Sequence, residues 1–292
     1  MPQYEAGPNV KRHDAMATRI AGAFVFLALG FALVYWWLIS LSKKGSLPFS
    51  IDDSIPGTVL KAILRDFGPA VAAIIVTASY HGSAGLKQLW QTVVRWRVSW
   101  RLYLLAFVGP MIAAGLVVSI GVMTGSLKRN GEPISAMHFG TVFFAMAIFD
   151  GPLGEEVGWR GLLLPQLLRK MAPIAASIVV GSVWWLWHVP LYLADGRIST
   201  TGEWIDFLIE TLALSMIFTW FFLRSGGSTL MAIVLHTTSN YAIYLLLISI
   251  WERVGNSMIP HYTHDAMVMI CGAAAAISFV RRSCQTPAPS VL

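Results

Sequence analysis

Apolar residues run along this chain in long blocks, broken only by short polar stretches, and they do not follow the two- or three-to-four-residue rhythm of a half-buried element. Eight blocks stand out, at 20–41, 67–80, 102–123, 139–168, 174–193, 205–223, 229–251 and 264–280. A helix that crosses the hydrocarbon core needs roughly 20 such residues, so all eight blocks are expected to be membrane spans. The second is short, and the pattern predicts a start nearer Val59, with Lys61 and Arg65 snorkelling from an end turn. The first is preceded by Lys11, Arg12 and Arg19 and closes on Tyr35, Trp36 and Trp37. It is too long for the core of a signal peptide and no small-residue cleavage site follows, so an uncleaved span is expected.

The pattern predicts an all-α membrane protein, a polytopic bundle of about eight transmembrane helices, since only helices and closed barrels satisfy their backbone groups in lipid and these blocks are too long for barrel strands. Residues 1–19 and 281–292 read as cytoplasmic tails around one transmembrane domain at 20–280. Between the second and third blocks, 86–103 places leucine, valine and tryptophan at helical spacing beside Lys87, Arg95, Arg97 and Arg101. An interfacial amphipathic helix is expected there, with a plain basic loop as the alternative.

Composition agrees: 56% hydrophobic and 12% charged residues, with a mean hydropathy of +0.64. The net charge of +6 does not point to a nucleic-acid partner, because the basic residues flank apolar blocks and form no stripe on a polar domain. With the N-terminus placed inside, Lys and Arg concentrate on the inner loops, among them Arg95, Arg97, Arg101, Arg169, Lys170, Arg281 and Arg282. The outer loops hold fewer, among them Lys43, Lys44, Lys128, Arg129, Arg197 and Arg253, and collect Asp52, Asp53, Glu132, Asp195 and Asp265. Both termini are therefore expected in the cytoplasm. Cys271 and Cys284 provide no framework of bridges or metal spacing.

Charges near a helix centre cost about 2.5–3.5 kcal/mol on insertion scales, so they usually face a cavity or a partner. Three places hold intramembrane polar groups: Glu155, Glu156 and Arg160; His188; and His236 with Asn240. Glu156 and Arg160 are four apart on one helical face, whereas Glu155 points about 100° away. Glu156 is expected to pair with Arg160 and to be structural, leaving Glu155 free as a candidate general base. "DGPLGEE" also resembles a helix start with acids near the dipole, worth about 0.3–1 kcal/mol, which is too little to hold two glutamates at depth. His188, four residues after Trp184, reads alone as a satisfied core histidine as readily as a functional one. His236 and Asn240, again four apart, read equally as interhelical glue. Together the three places hold the ingredients of a water-activating site: a base, its partner and oxyanion donors.

The order "EEVGWR" (155–160), "WWLWH" (184–188) and "HTTSN" (236–240) on successive apolar helices resembles the CAAX protease and bacteriocin-processing family of intramembrane endopeptidases, also called Abi or type II CAAX prenyl endopeptidase-like. The likeness covers about 139–247, within a protease-like core expected at 139–251. It implies that Glu155 and His188 activate a water, that His236 and Asn240 stabilise the oxyanion, and that Glu156 and Arg160 support them. The family most often has phenylalanine where this chain has Trp184 and Trp159, and neither swap is expected to touch a reacting group. Members are often classed as metalloendopeptidases, and Glu155, His188 and His236 are an acceptable zinc set. The chain lacks the HExxH arrangement, so a metal-free, glutamate-activated water is the favoured reading and zinc or another divalent metal the alternative.

The resemblance implies a peptide or protein substrate, lipidated or membrane-associated, of CAAX-processing or of bacteriocin-immunity or peptide-maturation type, and a place in the cytoplasmic membrane of a prokaryote. A transporter or a non-proteolytic membrane scaffold using the same polar residues is the competing reading.

Overall fold

The computed structural model describes residues 8–51, 54–129, 136–149, 151–195, 200–245, 251–255 and 258–283. The outer parts of both expected tails, Cys284 and the loop charges Asp52, Asp53, Glu132 and Arg197 lie outside the described residues.

The chain folds as a helical membrane protein. Among the described residues, five of the eight apolar blocks become helices long and apolar enough to cross a bilayer: most of α1 (Pro8–Lys43), α4 (Trp100–Met123), most of α8 (Pro173–Asp195), α9 (Thr201–Arg224) and most of α11 (Ile259–Ser283). The other three blocks depart from the one-block, one-span expectation, each for a local reason.

The second block is preceded by a separate short helix, α2 (Ile55–Lys61), whose Ser54 side chain accepts from the Gly57 amide and whose first turn carries Pro56. A π-helical turn at Ala62–Asp66 follows, the backbone leaves helical geometry at Phe67, and α3 (Gly68–Val93) begins. α3 is itself broken at Gly82, where φ is 59° and ψ −152°, a conformation open to glycine and costly for other residues. The amphipathic helix expected at 86–103 is consequently divided: its first part is the end of α3, 94–99 is non-helical, and α4 starts at Trp100. Trp90, Trp96 and Trp100 remain exposed, as interfacial tryptophans are.

The block at 139–168 is three helices and a turn. α5 (Ala136–Phe149) ends before Gly151, whose φ of 98° breaks the helical path. α6 (Pro152–Gly158), a π-helical turn at Trp159–Leu163 and α7 (Leu164–Leu168) follow. Proline at the first position of α6 loses no hydrogen bond. The last departure is α10 (Thr229–Ile243), which is shorter than its block: Trp251 lies in a strand, β2 (Trp251–Arg253), antiparallel to β1 (Leu127–Arg129). Three-residue strands leave no periodic trace in the sequence, so this ribbon was not expected from the apolar pattern. Lys128 Nζ lies 2.8 Å from a Glu252 carboxylate oxygen across it.

Small residues bring α6 against α3. A Cβ at Gly158 would lie 2.6 Å from the Pro69 side chain, and one at Gly154 only 2.0 Å from the Asp66 carbonyl oxygen. Backbones that close are held by dispersion, the main attraction available between helices in lipid. Trp159, fully buried, then locks the π-helical turn into the core, edge-on to Phe24 at 5.4 Å and to Trp187 at 5.9 Å.

Candidate active site

The three polar places meet inside the bundle. Glu155 and Glu156 stand in α6 soon after the break at Gly151, Arg160 in the π-helical turn, His188 in α8, and His236 and Asn240 in α10. Glu155, His188, His236 and Asn240 all line one cavity of about 970 Å³. Its walls also include Leu105, Pro110, Leu214, Ile217, Val268 and Ala275 from α4, α9 and α11.

Glu156 and Arg160 form the expected pair: Arg160 Nη1 donates to both Glu156 carboxylate oxygens, at 2.9 and 3.0 Å, with both side chains fully buried. The spacing of four residues on one helical face brings them together even though the turn has π geometry. The guanidinium carbon also sits 4.2 Å from the centroid of the Phe218 ring and 5.2 Å from that of Trp184. Those rings face a cation whose Nε and Nη2 have no hydrogen-bond partner among the described residues.

Glu156 has a second contact that its spacing in sequence does not reveal. His236 Nδ1 lies 2.9 Å from Glu156 Oε1, so Arg160, Glu156 and His236 form one buried chain of contacts across α6 and α10. The Glu156 carboxylate can only accept, so Nδ1 carries the hydrogen and Nε2 is the nitrogen left for other partners. Trp184 and Phe218 fix the His236 ring edgewise, at 5.6 and 5.5 Å.

Glu155, 6% exposed, is not the free carboxylate that helix spacing suggested. Trp184 Nε1 donates to its Oε2 at 2.6 Å. The expectation that tryptophan at 184 merely enlarges an aromatic packing group is thus corrected: the indole N–H, absent from phenylalanine, reaches a candidate reacting group. The other oxygen, Oε1, occupies the space beside Gly151, 2.4 Å from where a Cβ on that glycine would stand. Trp159, the other departure, is fully buried edge-on to Phe24 and Trp187, and its indole N–H has no hydrogen-bond partner among the described residues.

His188 Nδ1 lies 2.9 Å from the Trp184 carbonyl oxygen, one turn back along α8. A carbonyl only accepts, so Nδ1 carries the hydrogen and the neutral ring presents a lone pair at Nε2. The ring is enclosed by Trp187, Tyr192 and Phe207 at 4.7–5.2 Å.

The alternative zinc set can be compared with the spacing of the ligand atoms. Among the described residues, the group of three His, Cys, Asp or Glu side chains whose ligand atoms all lie within 4.8 Å of one another is Glu210, His264 and Asp265; Glu155, His188 and His236 form no such group. Glu155 Oε1, His188 Nε2 and His236 Nε2 are the atoms such an ion would use, and the contacts of Trp184 with Glu155 and of Glu156 with His236 would brace them from behind.

The sequence reading counted three intramembrane polar places and missed a fourth. Glu210, in the middle of α9, and His264, in the first turns of α11, line the same cavity, as do Arg65 and Asp66 from the turn before α3. Glu210 was legible as a lone acid in an apolar block; its partners, fifty residues away on another helix, were not.

Residues 136–242 match the family described as Type II CAAX prenyl endopeptidase Rce1-like. Among curated proteins, the chain is 33% identical over 101 residues to CAAX prenyl protease 2 of Methanococcus maripaludis, covering 32% of this chain and 37% of that protein. The alignment thus spans little more than a third of that relative. The matched segment contains every motif that carried the resemblance, and it runs from the start of α5 to the end of α10, the elements that hold Glu155, His188, His236 and Asn240. Over residues 136–242, the chain is therefore similar to the type II CAAX prenyl endopeptidase Rce1-like family.

Proposed function

We propose that this protein is an intramembrane endopeptidase that hydrolyses a peptide bond of a lipidated, CAAX-type substrate. The observation that carries the proposal is the convergence of Glu155, His188, His236 and Asn240 on one largely apolar cavity. Its volume lies at the upper end of the roughly 300–1,000 Å³ usual for ligand pockets, enough for a lipid chain together with a short peptide.

In this reading Glu155 and His188 share the activation of water. Trp184 aims the Glu155 carboxylate, and the Trp184 carbonyl fixes His188 in the tautomer whose Nε2 accepts a proton. The water loses its proton to one of these bases and attacks the scissile carbonyl carbon; the proton then passes to the leaving amine. His236 and the Asn240 amide supply hydrogen bonds to the oxyanion. His236 has Nδ1–H committed to Glu156, so it donates from Nε2 only as an imidazolium, a form the Glu156 carboxylate supports. Arg160 and Glu156 position His236 and touch no reacting atom. The resemblance to metalloendopeptidases does not alter this assignment, because no step here needs an ion.

The remaining expectations belong to the same proposal: a multi-pass protein of a prokaryotic cytoplasmic membrane, both termini cytoplasmic, one transmembrane domain over 20–280. A fluorogenic peptide ending in a CAAX sequence, prenylated or not, presented to the purified protein in detergent tests the function. Cleavage of the prenylated peptide that disappears in Glu155→Gln and His236→Ala is expected. Undiminished cleavage in Glu155→Gln would overturn the assignment, and preference for an unprenylated leader-type peptide would move the substrate to the peptide-maturation class.

A further inference from the structure

Glu210 and His264 are half-buried polar groups in apolar helices, and neither is used by the chemistry above. Glu210 lies nine residues into α9; His264 and Asp265 lie in the second turn of α11. The helices are pressed together there and below: a Cβ on Gly272 would lie 2.9 Å from Ala213 Cα, which keeps α11 against α9 and sets His264 opposite Glu210. His264 Nδ1 is 3.6 Å from Glu210 Oε1 and 3.4 Å from Asp265 Oδ1. The second oxygen of Asp265 is 3.3 Å from His261 Nε2, one turn back.

These separations are long for direct N–H···O hydrogen bonds, which cluster at about 2.7–3.2 Å. They are close to the spacing between ligands of one tetrahedral ion: bonds of about 2.0–2.1 Å place neighbouring donors about 3.3–3.4 Å apart. All three ligand atoms lie within 4.8 Å of one another. Charge points the same way. Glu210 and Asp265 both face His264 Nδ1 within apolar helices, and a divalent cation compensates both carboxylates while leaving His264 neutral. His261 then steadies Asp265 through its other oxygen, as histidine and carboxylate pairs around metals commonly do.

We infer that Glu210, His264 and Asp265 form a binding site for a divalent transition metal ion of the zinc type, joining α9 to α11 in the wall of the cavity and separate from the groups proposed for hydrolysis. Glu210 and His264 line the cavity, so the ion's fourth position opens toward it. A metal held here makes the protein sensitive to chelators without any ion on Glu155, His188 or His236.

The test is metal binding by the full chain, purified in detergent with any affinity tag removed. Zinc is titrated calorimetrically, and cobalt is added to read the visible absorption of a tetrahedral site. One equivalent is expected in the wild type. Glu210→Gln, Asp265→Asn and His264→Ala should each weaken binding by more than about a hundredfold, beyond what loss of a merely supporting contact costs. His188→Ala and His236→Ala should leave the affinity unchanged. Monodispersity in size exclusion shows that each variant is folded, and the near-isosteric Glu210→Gln and Asp265→Asn keep the test valid if His264→Ala is not. No zinc uptake by the wild type, or uptake lost in His188→Ala or His236→Ala and retained in Glu210→Gln, overturns the inference. Because the readout is binding, it stands or falls independently of whether the protein cleaves a CAAX peptide.

Discussion

Trp184 donates its indole N–H to Glu155 at 2.6 Å, and the same residue's carbonyl oxygen meets His188 Nδ1 at 2.9 Å. One position on α8 therefore orients both groups proposed to activate water. Its side chain acts on a carboxylate from α6, its backbone on the histidine one turn ahead.

Trp184→Phe removes one of these contacts and leaves the other. Hydrogen bonds to charged groups are worth about 1.5–3 kcal/mol, so kcat/KM for the prenylated peptide should fall about ten- to a hundredfold. The thermal midpoint should move little, since an aromatic ring still fills the space between His236 and Phe218. Equal turnover in Trp184→Phe and wild type would show that the indole N–H is only satisfied by Glu155 and does not aim it.

How much of this was readable beforehand follows from the range over which each interaction acts. The Glu156–Arg160 pair was legible because it lies within one helix, where a spacing of four fixes the geometry. The membrane class and five long spans were legible because apolar length is a local property. The contact of Glu156 with His236 and that of Trp184 with Glu155 join α6 to α10 and α8, eighty and twenty-nine residues apart. Helical periodicity carries no information about such distances. The same limit hid the partners of Glu210. The break at Gly151 was hinted at by Gly151–Pro152, yet only its φ of 98° shows that α5 does not continue into α6.

Gly151→Ala should be more damaging than its size suggests. A non-glycine residue at that positive φ costs on the order of 1–3 kcal/mol, and its Cβ would stand 2.4 Å from Glu155 Oε1. Both the stability and the position of the proposed base should suffer. The thermal midpoint is expected to drop by several degrees, and residual turnover at a temperature where the variant is folded should be reduced at least about tenfold. Gly109→Ala is the control, since its Cβ would meet nothing closer than 3.9 Å.

Glu156→Gln leaves Arg160 without its carboxylate in a fully buried place. Breaking a buried pair by removing one partner costs about 3–5 kcal/mol, enough to lower the denaturation midpoint markedly. Replacing both members with apolar residues, Glu156→Leu with Arg160→Met, should recover much of that stability. It should not recover turnover, because His236 still lacks the acceptor for Nδ1. Turnover restored together with stability would mean that the chain of contacts serves only to hold the helices.

The protonation states required of the two histidines predict the shape of the pH profile. His188, with Nδ1–H bound to a carbonyl, accepts a proton only when neutral, and the Glu155 carboxylate only when ionised, so kcat/KM should rise as acid is removed. His236, with Nδ1–H on Glu156, donates to an oxyanion only when doubly protonated, so activity should fall again once it loses a proton. A bell-shaped profile is expected. His236→Gln replaces the titrating ring with an uncharged amide donor, so kcat should fall by less than the roughly 10²–10³ that loss of an oxyanion donor costs, and the alkaline limb should flatten. An alkaline limb that persists unchanged in His236→Gln would transfer that titration to another group and leave His236 the role of a second base.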